Sequence, residues 1–321
     1  MKCDIKAEKH IITITIDNEC GLSVTLSNAG ASIVDIKYKG VSMVMTPEKL
    51  SDFVKPDMYY GKTIGPFPNR VKDSVITING ETYQLDANEG PNCLHSGRYG
   101  LHNQIFKYDV VKQKGFIGVN FMLTKKSGAD GIPGKIVYTI GYVMQEGDNT
   151  LYLSMRAASD KDTIIGITNH TFFTLGEMSD DSLKLTIPSH KFIETGKDDL
   201  IPLQERIILP CLDFQKSKRI DKHINDPYLQ EHRSKGYDHC FLLDKGEIKL
   251  ESSKYQLDIS TDYEAVQIYS DNYEDGIKMM GTDNTTHRSV AIEPQDSLLD
   301  RKLIKRGKIY SHNIKYSFSE K

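Results

Sequence analysis

The alternation of apolar and polar side chains with a period of two is the feature that most limits the folds open to this chain. Ile12, Ile14 and Ile16 alternate with threonines, and the pattern recurs over residues 22–26 after a turn. Successive side chains of a β-strand point to opposite faces of its sheet, so this period predicts strands with one buried face. Further strands are predicted at 75–85 (a hairpin), 118–123, 136–144, 151–157, 183–187, 248–251, 255–261, 266–269, 289–293 and 310–318.

Turn signals between these segments favour antiparallel pairing. Asn79 and Gly80 separate two alternating runs and predict a type I′ hairpin turn. Helical patterns are scarce: residues 221–231 predict one short helix, which Pro227 is expected to interrupt. Many short strands with Gly, Asn and Asp between them therefore predict an all-β fold, a large antiparallel β-sandwich.

The chain shows no sign of division into domains. Its 321 residues contain no internal repeat and no Gly/Ser/Pro-rich linker, and the polar stretch 196–202 is expected to be a surface loop. A chain of this length can bury about 75% of the surface that it exposes when unfolded. Residues 1–321 are therefore predicted to form a single β-sandwich domain.

Composition excludes several functional classes. A formal net charge of −3 gives no support to nucleic-acid binding, and no apolar run reaches the ~18 residues of a membrane helix. The five cysteines lack a C-x-x-C spacing, so we expect reduced thiols in a cytoplasmic protein. No phosphate-binding loop and no metal-ligand set is present, so neither a cofactor nor a metal is expected. Trp is absent, and any aromatic floor of a binding site must be Tyr, Phe or His.

Polar side chains cluster at the ends of predicted strands in five short segments. These are residues 67–70 (Phe-Pro-Asn-Arg), 92–97 (Asn-Cys-Leu-His-Ser-Gly), 168–173 (Thr-Asn-His-Thr-Phe-Phe), 236–241 (Gly-Tyr-Asp-His-Cys-Phe) and 291–295 (Ala-Ile-Glu-Pro-Gln). Each segment places an ionisable side chain in an apolar frame. A set of Arg, His, Asp, Glu and amide groups suits an uncharged ligand with many hydroxyls, because it supplies donors, acceptors and a proton-transfer pair.

These segments, with residues 88–97 and 266–269, resemble those of the aldose 1-epimerase (galactose mutarotase) family and occur in the same order. The resemblance extends over roughly residues 20 to 318. It implies a galactose mutarotase-like β-sandwich. It also implies an isomerase that interconverts the α and β anomers of a free aldohexose, a small-molecule sugar, without cofactor or metal.

The resemblance also implies a role for each matching residue. Glu293 would be the general base that takes the proton of the anomeric hydroxyl, and His170 the general acid that protonates the ring oxygen. His95 would polarise that oxygen, and Arg70 and Asp238 would bind sugar hydroxyls. Supporting contacts to the sugar are expected from Asn69 and Gln295. We expect the Glu293 carboxylate to raise the pKa of His170 more than burial lowers it.

The sequence departs from the family pattern in one loop and leaves other functions open. Pro66 replaces the first Arg of the family's Gly-Arg-x-Ala-Asn-Arg segment. A relative acting on another sugar, including a phosphorylated one, would need a cationic anchor, for which Lys62 and Arg98 are the candidates. A non-catalytic carbohydrate-binding sandwich would need no acid–base pair. A glycosidase would use two carboxylates, Asp238 and Glu293.

Overall fold

The structure, a computed structural model, describes residues 1–56, 58–177, 183–244, 247–274, 276–280 and 286–321, and β-strands dominate these ranges. The strands are β1 (Lys2–Glu8), β2 (Ile11–Asp17), β3 (Leu22–Ser27), β4 (Ser32–Tyr38), β5 (Val41–Ser42), β6 (Lys62–Ile64), β7 (Arg70–Val71), β8 (Val75–Ile78), β9 (Glu81–Gln84), β10 (Cys93–Leu94), β11 (Lys107–Gln113), β12 (Phe116–Lys125), β13 (Ile136–Gln145), β14 (Thr150–Ser159), β15 (Thr163–Ile164), β16 (Thr168–His170), β17 (Phe172–Phe173), β18 (Lys184–Thr186), β19 (Lys191–Thr195), β20 (Pro202–Ile207), β21 (Lys218–Arg219), β22 (Asp238–Leu242), β23 (Glu247–Glu251), β24 (Tyr255–Thr261), β25 (Ala265–Tyr269), β26 (Val290–Gln295), β27 (Leu303–Ile304) and β28 (Ile309–Glu320).

Helices are short wherever they occur in the described ranges. The α-helices are α1 (Leu50–Phe53) and α2 (Pro227–Glu231), and the 3₁₀ segments are Lys72–Ser74, Gly97–Tyr99, Leu101–Asn103, Pro210–Leu212 and Ile220–His223. The prediction that Pro227 interrupts a helix is wrong. Pro227 instead opens α2, because a proline needs no amide partner at the first helical position. Asp226 caps this helix by accepting the Tyr228 amide at 3.0 Å.

Antiparallel pairing organises the described strands into three large sheets. The nine-stranded sheet has the order β11-β12-β13-β14-β28-β24-β23-β18-β21, the six-stranded sheet β17-β26-β25-β22-β19-β20, and the five-stranded sheet runs from β1 to β5. The predicted all-β antiparallel sandwich is confirmed. The single-domain organisation stays a prediction.

One buried hydrophobic cluster contains residues of all three large sheets, the two largest among them. Leu257 and Tyr316 of the nine-stranded sheet and Ile268 and Ile292 of the six-stranded sheet are fully buried in one hydrophobic cluster. Each such side chain contributes about 1.5–3 kcal/mol through its burial. Because strand residues alternate between faces, packing 266, 268, 290 and 292 into the core turns the odd-numbered residues of β25 and β26 away from it.

Other local predictions are also confirmed. Val24 and Leu26 of β3 are fully buried, and β8 and β9 pair across Asn79 and Gly80, whose φ angles are 51° and 84°. Residues 196–201 connect β19 and β20, as expected of a loop, whereas Pro202, the last residue of the predicted loop, begins β20. All five cysteines are free. No helix in the described ranges has the length and apolarity needed to cross a membrane.

Candidate active site

A cavity of about 320 Å³ lies on the face of the six-stranded sheet that points away from the core. Three neighbouring strands supply its floor: Asp238 from β22, Gln267 from β25 and Glu293 from β26. Gln267 is the cross-strand partner of Glu293, so the alternation that buries the neighbouring residues in the core presents both side chains to the cavity.

His170 and Glu293 form the central pair of the cavity. His170 ends β16, which is bonded to β6, and its Nε2 lies 3.4 Å from Oε1 of Glu293. Their side chains are only 6% and 2% exposed. A base and an acid are thus held within proton-transfer range of one another and of a ligand in the cavity.

A second histidine is fixed through the backbone of the neighbouring loop. β7 and β10 pair across Arg70 and Leu94, which brings Asn69 next to His95. The Asn69 amide donates to Nδ1 of His95 at 3.2 Å, so the neutral ring carries its proton on Nε2 and can donate it to a ligand. Asn69 and His95 have φ angles of 60° and 51°, left-handed values that are strained for non-glycine residues and that cluster at functional sites.

Arg70 is held in place by two acidic side chains. Its Nε and Nη2 donate to Glu89 at 2.7 and 3.1 Å, and its Nη1 donates to Asp238 at 3.3 Å. Arg233 also donates to Glu89 at 2.7 Å, and Gln267 donates to the second oxygen of Asp238 at 2.6 Å. This network fixes the direction of the guanidinium and leaves its remaining N–H donors for a ligand.

Aromatic rings form the apolar wall around the histidines, as the absence of Trp predicted. The Tyr59 ring lies 4.8 Å from His95 and 5.8 Å from His170, and the Phe172 ring lies 4.9 Å from His170. Tyr269 and Tyr273 also line the cavity. Such rings restrict the imidazoles to one orientation and offer an apolar surface to the C–H face of a ligand.

Burial controls the protonation of the central pair. It lowers the pKa of His170 to about 4, and burial together with the nearby Asp238 raises the pKa of Glu293 well above 4.5. Burial also lowers the pKa of His95 well below 6.5. The expectation that the carboxylate would raise the pKa of His170 is therefore wrong, because desolvation of the imidazolium outweighs the attraction. Burial therefore favours the uncharged forms of both groups, the carboxylic acid of Glu293 and the neutral imidazole of His170.

The structure brings six of the seven residues selected from sequence to this cavity: Asn69, Arg70, His95, His170, Asp238 and Glu293. Gln295 is not among the lining residues. It points to the same face of β26 as Glu293 but lies two residues farther along the strand, where its side-chain amide contacts Sγ of Cys240 at 3.8 Å.

Sequence reasoning missed Glu89, Tyr59 and Gln267. Glu89 and Gln267 belong to segments that resemble the family, and the pair Tyr59-Tyr60 was a signal in a chain that lacks Trp.

The two candidate phosphate anchors lie outside the cavity lining. Lys62 is buried, donates to the Ala29 carbonyl at 3.2 Å, and burial lowers its pKa to about 7. Arg98 is 70% exposed and pairs with Asp86.

The Pro66 loop is held by another cation. Arg301 donates to the carbonyls of Pro68 and Arg70 at 3.1 and 3.0 Å and so braces the strained Asn69 between them.

Comparison with known proteins shows the family to which the chain belongs. The family model for aldose 1-epimerase matches residues 13–317. The chain belongs to the aldose 1-epimerase family. An aldose 1-epimerase of Escherichia coli K12 is 30% identical over 84% of this chain and 81% of its own length. A galactose mutarotase of Sus scrofa is 25% identical over 93% and 91% of the two chains.

Solved structures agree at the level of the fold. A galactose 1-epimerase from Lactobacillus acidophilus NCFM superposes with a TM-score of 0.91 at 23% identity, covering 99% of each chain. The family resemblance and the enzyme class, an isomerase, are confirmed. Within the part of the chain that the structure describes, no group of three or more His, Cys, Asp or Glu side chains is placed to hold a metal ion.

Proposed function

We propose that this protein is an aldose 1-epimerase that interconverts the α and β anomers of a free aldohexose. The observation that carries the proposal is the pair formed by His170 and Glu293, 3.4 Å apart in a cavity whose other polar groups suit sugar hydroxyls. Ring opening needs one proton removed from O1 and one delivered to the ring oxygen, and this pair holds one base and one acid.

In the proposed reaction Glu293 takes the proton of the anomeric hydroxyl while His170 gives a proton to the ring oxygen. The C1–O5 bond breaks and a carbonyl forms at C1. Rotation about C1–C2 turns the other face of the aldehyde to the C5 hydroxyl, and the two proton transfers then run in reverse to close the ring. Nε2–H of His95 donates to the ring oxygen, and Arg70 and Asp238 hold hydroxyls.

The proton inventory of the pair is compatible with this reaction. A protonated Glu293 beside a neutral His170 has the same number of protons as the ionised pair that starts the reaction. Sugar hydroxyls that donate to the Glu293 carboxylate favour its ionised form, and the proton then moves over the 3.4 Å separation to His170. Binding of the sugar thus prepares the pair for catalysis.

The alternative functions fit the cavity less well. A phosphorylated sugar would bring negative charge into a cavity with four acidic lining residues: Glu89, Asp238, Asp271 and Glu293. Arg70 is the one permanently cationic side chain among the described lining residues. A glycosidase would need Asp238 free to act, but its oxygens are engaged by Arg70 and Gln267. A binding module gains nothing from burying an acid–base pair, which costs desolvation energy.

Polarimetry tests the proposal directly. Two relatives' names contain galactose, so freshly dissolved α-D-galactose is the first sugar to follow, with α-D-glucose and a hexose 6-phosphate for comparison. We expect the protein to accelerate equilibration of the free hexoses and not of the phosphate. Rotation that follows the buffer rate with every sugar would refute the proposal.

The pH profile of kcat/KM is expected to be broad, with its acid limb at an unusually low pH. The pair keeps one proton between the pKa of His170, about 4, and that of Glu293, which lies well above 4.5. We therefore expect kcat/KM, which reports on the free enzyme, to fall only as the pH approaches about 4. An acid limb with its midpoint near 6.5, the ordinary histidine value, would contradict the burial of His170.

Replacing Arg70 with alanine is expected to raise KM for the sugar more than it lowers kcat. A hydrogen bond to a charged group contributes about 1.5–3 kcal/mol, so KM should rise about 10-fold or more. The free energy of unfolding should also fall. Removing one partner of a fully buried ion pair costs roughly 3–5 kcal/mol, and the loss should be smaller here because Glu89 is 21% exposed and water screens its charge. Steady-state polarimetry and thermal unfolding measure both effects.

Arg98→Ala is the matched control, because it removes an exposed guanidinium outside the cavity lining. A larger loss of kcat than of affinity in Arg70→Ala would contradict the binding role of Arg70.

We also propose that the protein works as a cytoplasmic enzyme of sugar metabolism. Its five free cysteines support a reducing compartment, since disulfides rarely persist there.

A further inference from the structure

The strands that carry His170 and Glu293 are not hydrogen-bonded neighbours. β16 pairs with β6, whereas β26 pairs with β17 and β25. The two segments are tied on either side of the pair. Phe172 pairs with Ala291 on one side, and on the other side Oγ1 of Thr168 donates to the Pro294 carbonyl at 2.8 Å. The distance between His170 and Glu293 therefore depends on contacts other than the backbone hydrogen bonds between β16 and β6.

Two buried tyrosines strengthen the second tie. The hydroxyl of Tyr263 donates to the Ile167 carbonyl at 2.6 Å, and the Ile167 amide donates to the hydroxyl of Tyr310 at 3.1 Å. Ile167 immediately precedes β16 and is fully buried, so these hydroxyls satisfy both of its backbone groups. Tyr310 in turn donates to Oδ2 of Asp296 at 2.8 Å, and Asp296 immediately follows β26.

These contacts connect the two segments through one side chain. Tyr310 has a single hydroxyl proton, which goes to Asp296, so its oxygen is free to accept from Ile167. The path from Ile167 to Asp296 thus joins the residue before the acid's strand to the residue after the base's strand. Neither tyrosine lines the cavity.

We infer that Tyr263 and Tyr310 form a clamp that sets the distance between His170 and Glu293, and that both are positioning residues for the acid–base reaction. The inference rests on the proposed function. Proton transfer between fixed groups is sensitive to geometry, and a misplacement of about 1 Å can cost on the order of 10²-fold in rate. Loss of the Tyr310 hydroxyl leaves the buried Ile167 amide without a partner, so β16 is expected to move relative to β26.

Tyr310→Phe tests the clamp. We expect kcat for mutarotation to fall about 10-fold or more, while KM for the sugar stays within about twofold because the sugar-binding groups lie on other segments. Tyr138→Phe is the matched control: Tyr138 of β13 is fully buried in the same nine-stranded sheet as Tyr310, and its hydroxyl has no hydrogen-bond partner among the described residues. Thermal unfolding of both variants corrects the rates for any unfolded fraction.

A second comparison separates positioning from general weakening of the fold. Positioning acts through the pair, so adding Tyr310→Phe to Glu293→Gln should lower the residual rate by less than about twofold. A purely structural role would lower the rate of either parent by the same factor. Where Tyr310→Phe does not fold, Tyr263→Phe replaces it, since that variant removes the hydrogen bond that holds the Ile167 carbonyl but leaves the buried Ile167 amide with its partner.

The outcomes distinguish the clamp from the function on which it rests. A wild-type kcat in both tyrosine variants, or an equal loss in the Glu293→Gln background, would refute the clamp while leaving the epimerase proposal intact. Wild-type protein without mutarotation activity would refute both. A selective loss of kcat that disappears in the Glu293→Gln background is the result that the clamp predicts.

Discussion

Glu293→Gln is expected to lower the rate of mutarotation by about 10²- to 10⁴-fold, the usual contribution of one positioned proton transfer. Glutamine has nearly the shape of the carboxyl group and can still form hydrogen bonds, but its amide does not accept the proton of the anomeric hydroxyl. KM should change little, because Arg70, Asp238 and His95 remain in place. Initial rates of optical rotation at several sugar concentrations separate the two parameters.

The same substitution has a distinctive effect on stability. Burial raises the pKa of Glu293 above 4.5, so the folded protein keeps a proton that the unfolded chain loses as the pH rises through that value. The wild-type contribution is therefore largest below 4.5 and falls as the pH rises toward the folded-state pKa. The Glu293→Gln variant does not lose stability in this way, because its amide does not titrate. We expect the variant to unfold at the same temperature as the wild type or at a higher one near neutral pH.

Glu205→Gln provides the control for both measurements. Glu205 lies on the exposed strand β20 and forms a surface ion pair with Lys191 at 3.0 Å, an interaction worth about 0–1 kcal/mol. It should retain the wild-type rate and unfolding temperature. Glu293→Gln with a near-normal rate would remove Glu293 from the mechanism, and a marked loss of stability would mean that the carboxylate is ionised and paired in the folded protein.

The fold could be predicted where strands bury one face. The alternation in β2 and β3 marks residues that are buried, except for the half-buried Ile12, and Asn79-Gly80 marks a turn with two positive φ angles. β1 was missed because nearly all of its residues are exposed, so its sequence carries no apolar period. β1 forms because its backbone pairs with β2, and backbone pairing leaves no signature in side-chain polarity. The exposed strand β20 was missed for the same reason.

The site could be predicted as a set of residues but not as an arrangement. Alternation places Glu293 and Gln295 on one face of β26, yet the sequence does not say where along that face the cavity ends. Glu89 matters because it holds Arg70 together with Asp238, which lies 168 residues from Arg70 in the chain. The direction of the pKa shifts depends on how deeply the pair is buried, which the packed structure shows and the local sequence around either residue does not.

His170→Gln is expected to lower kcat by about 10²- to 10⁴-fold as well. The amide of glutamine can donate a hydrogen bond to the ring oxygen but does not transfer its proton, so binding survives and the chemical step does not. The pH profile should also change. The wild-type limb near about 4 belongs to His170, and in its absence the residual rate should rise with pH until Glu293 ionises, well above 4.5.

Stability gives an independent check on the state of His170. Its pKa falls from 6.5 to about 4 on folding, so between these values the unfolded chain binds the proton more readily, and the wild type loses stability as the pH falls through this window. The glutamine variant lacks that loss, so its unfolding temperature should rise relative to that of the wild type as the pH falls. His232→Gln is the control, since His232 is buried outside the cavity lining, with Nδ1 2.7 Å from the Tyr228 carbonyl. Equal rates in His170→Gln and His232→Gln would show that His170 does not deliver the proton to the ring oxygen.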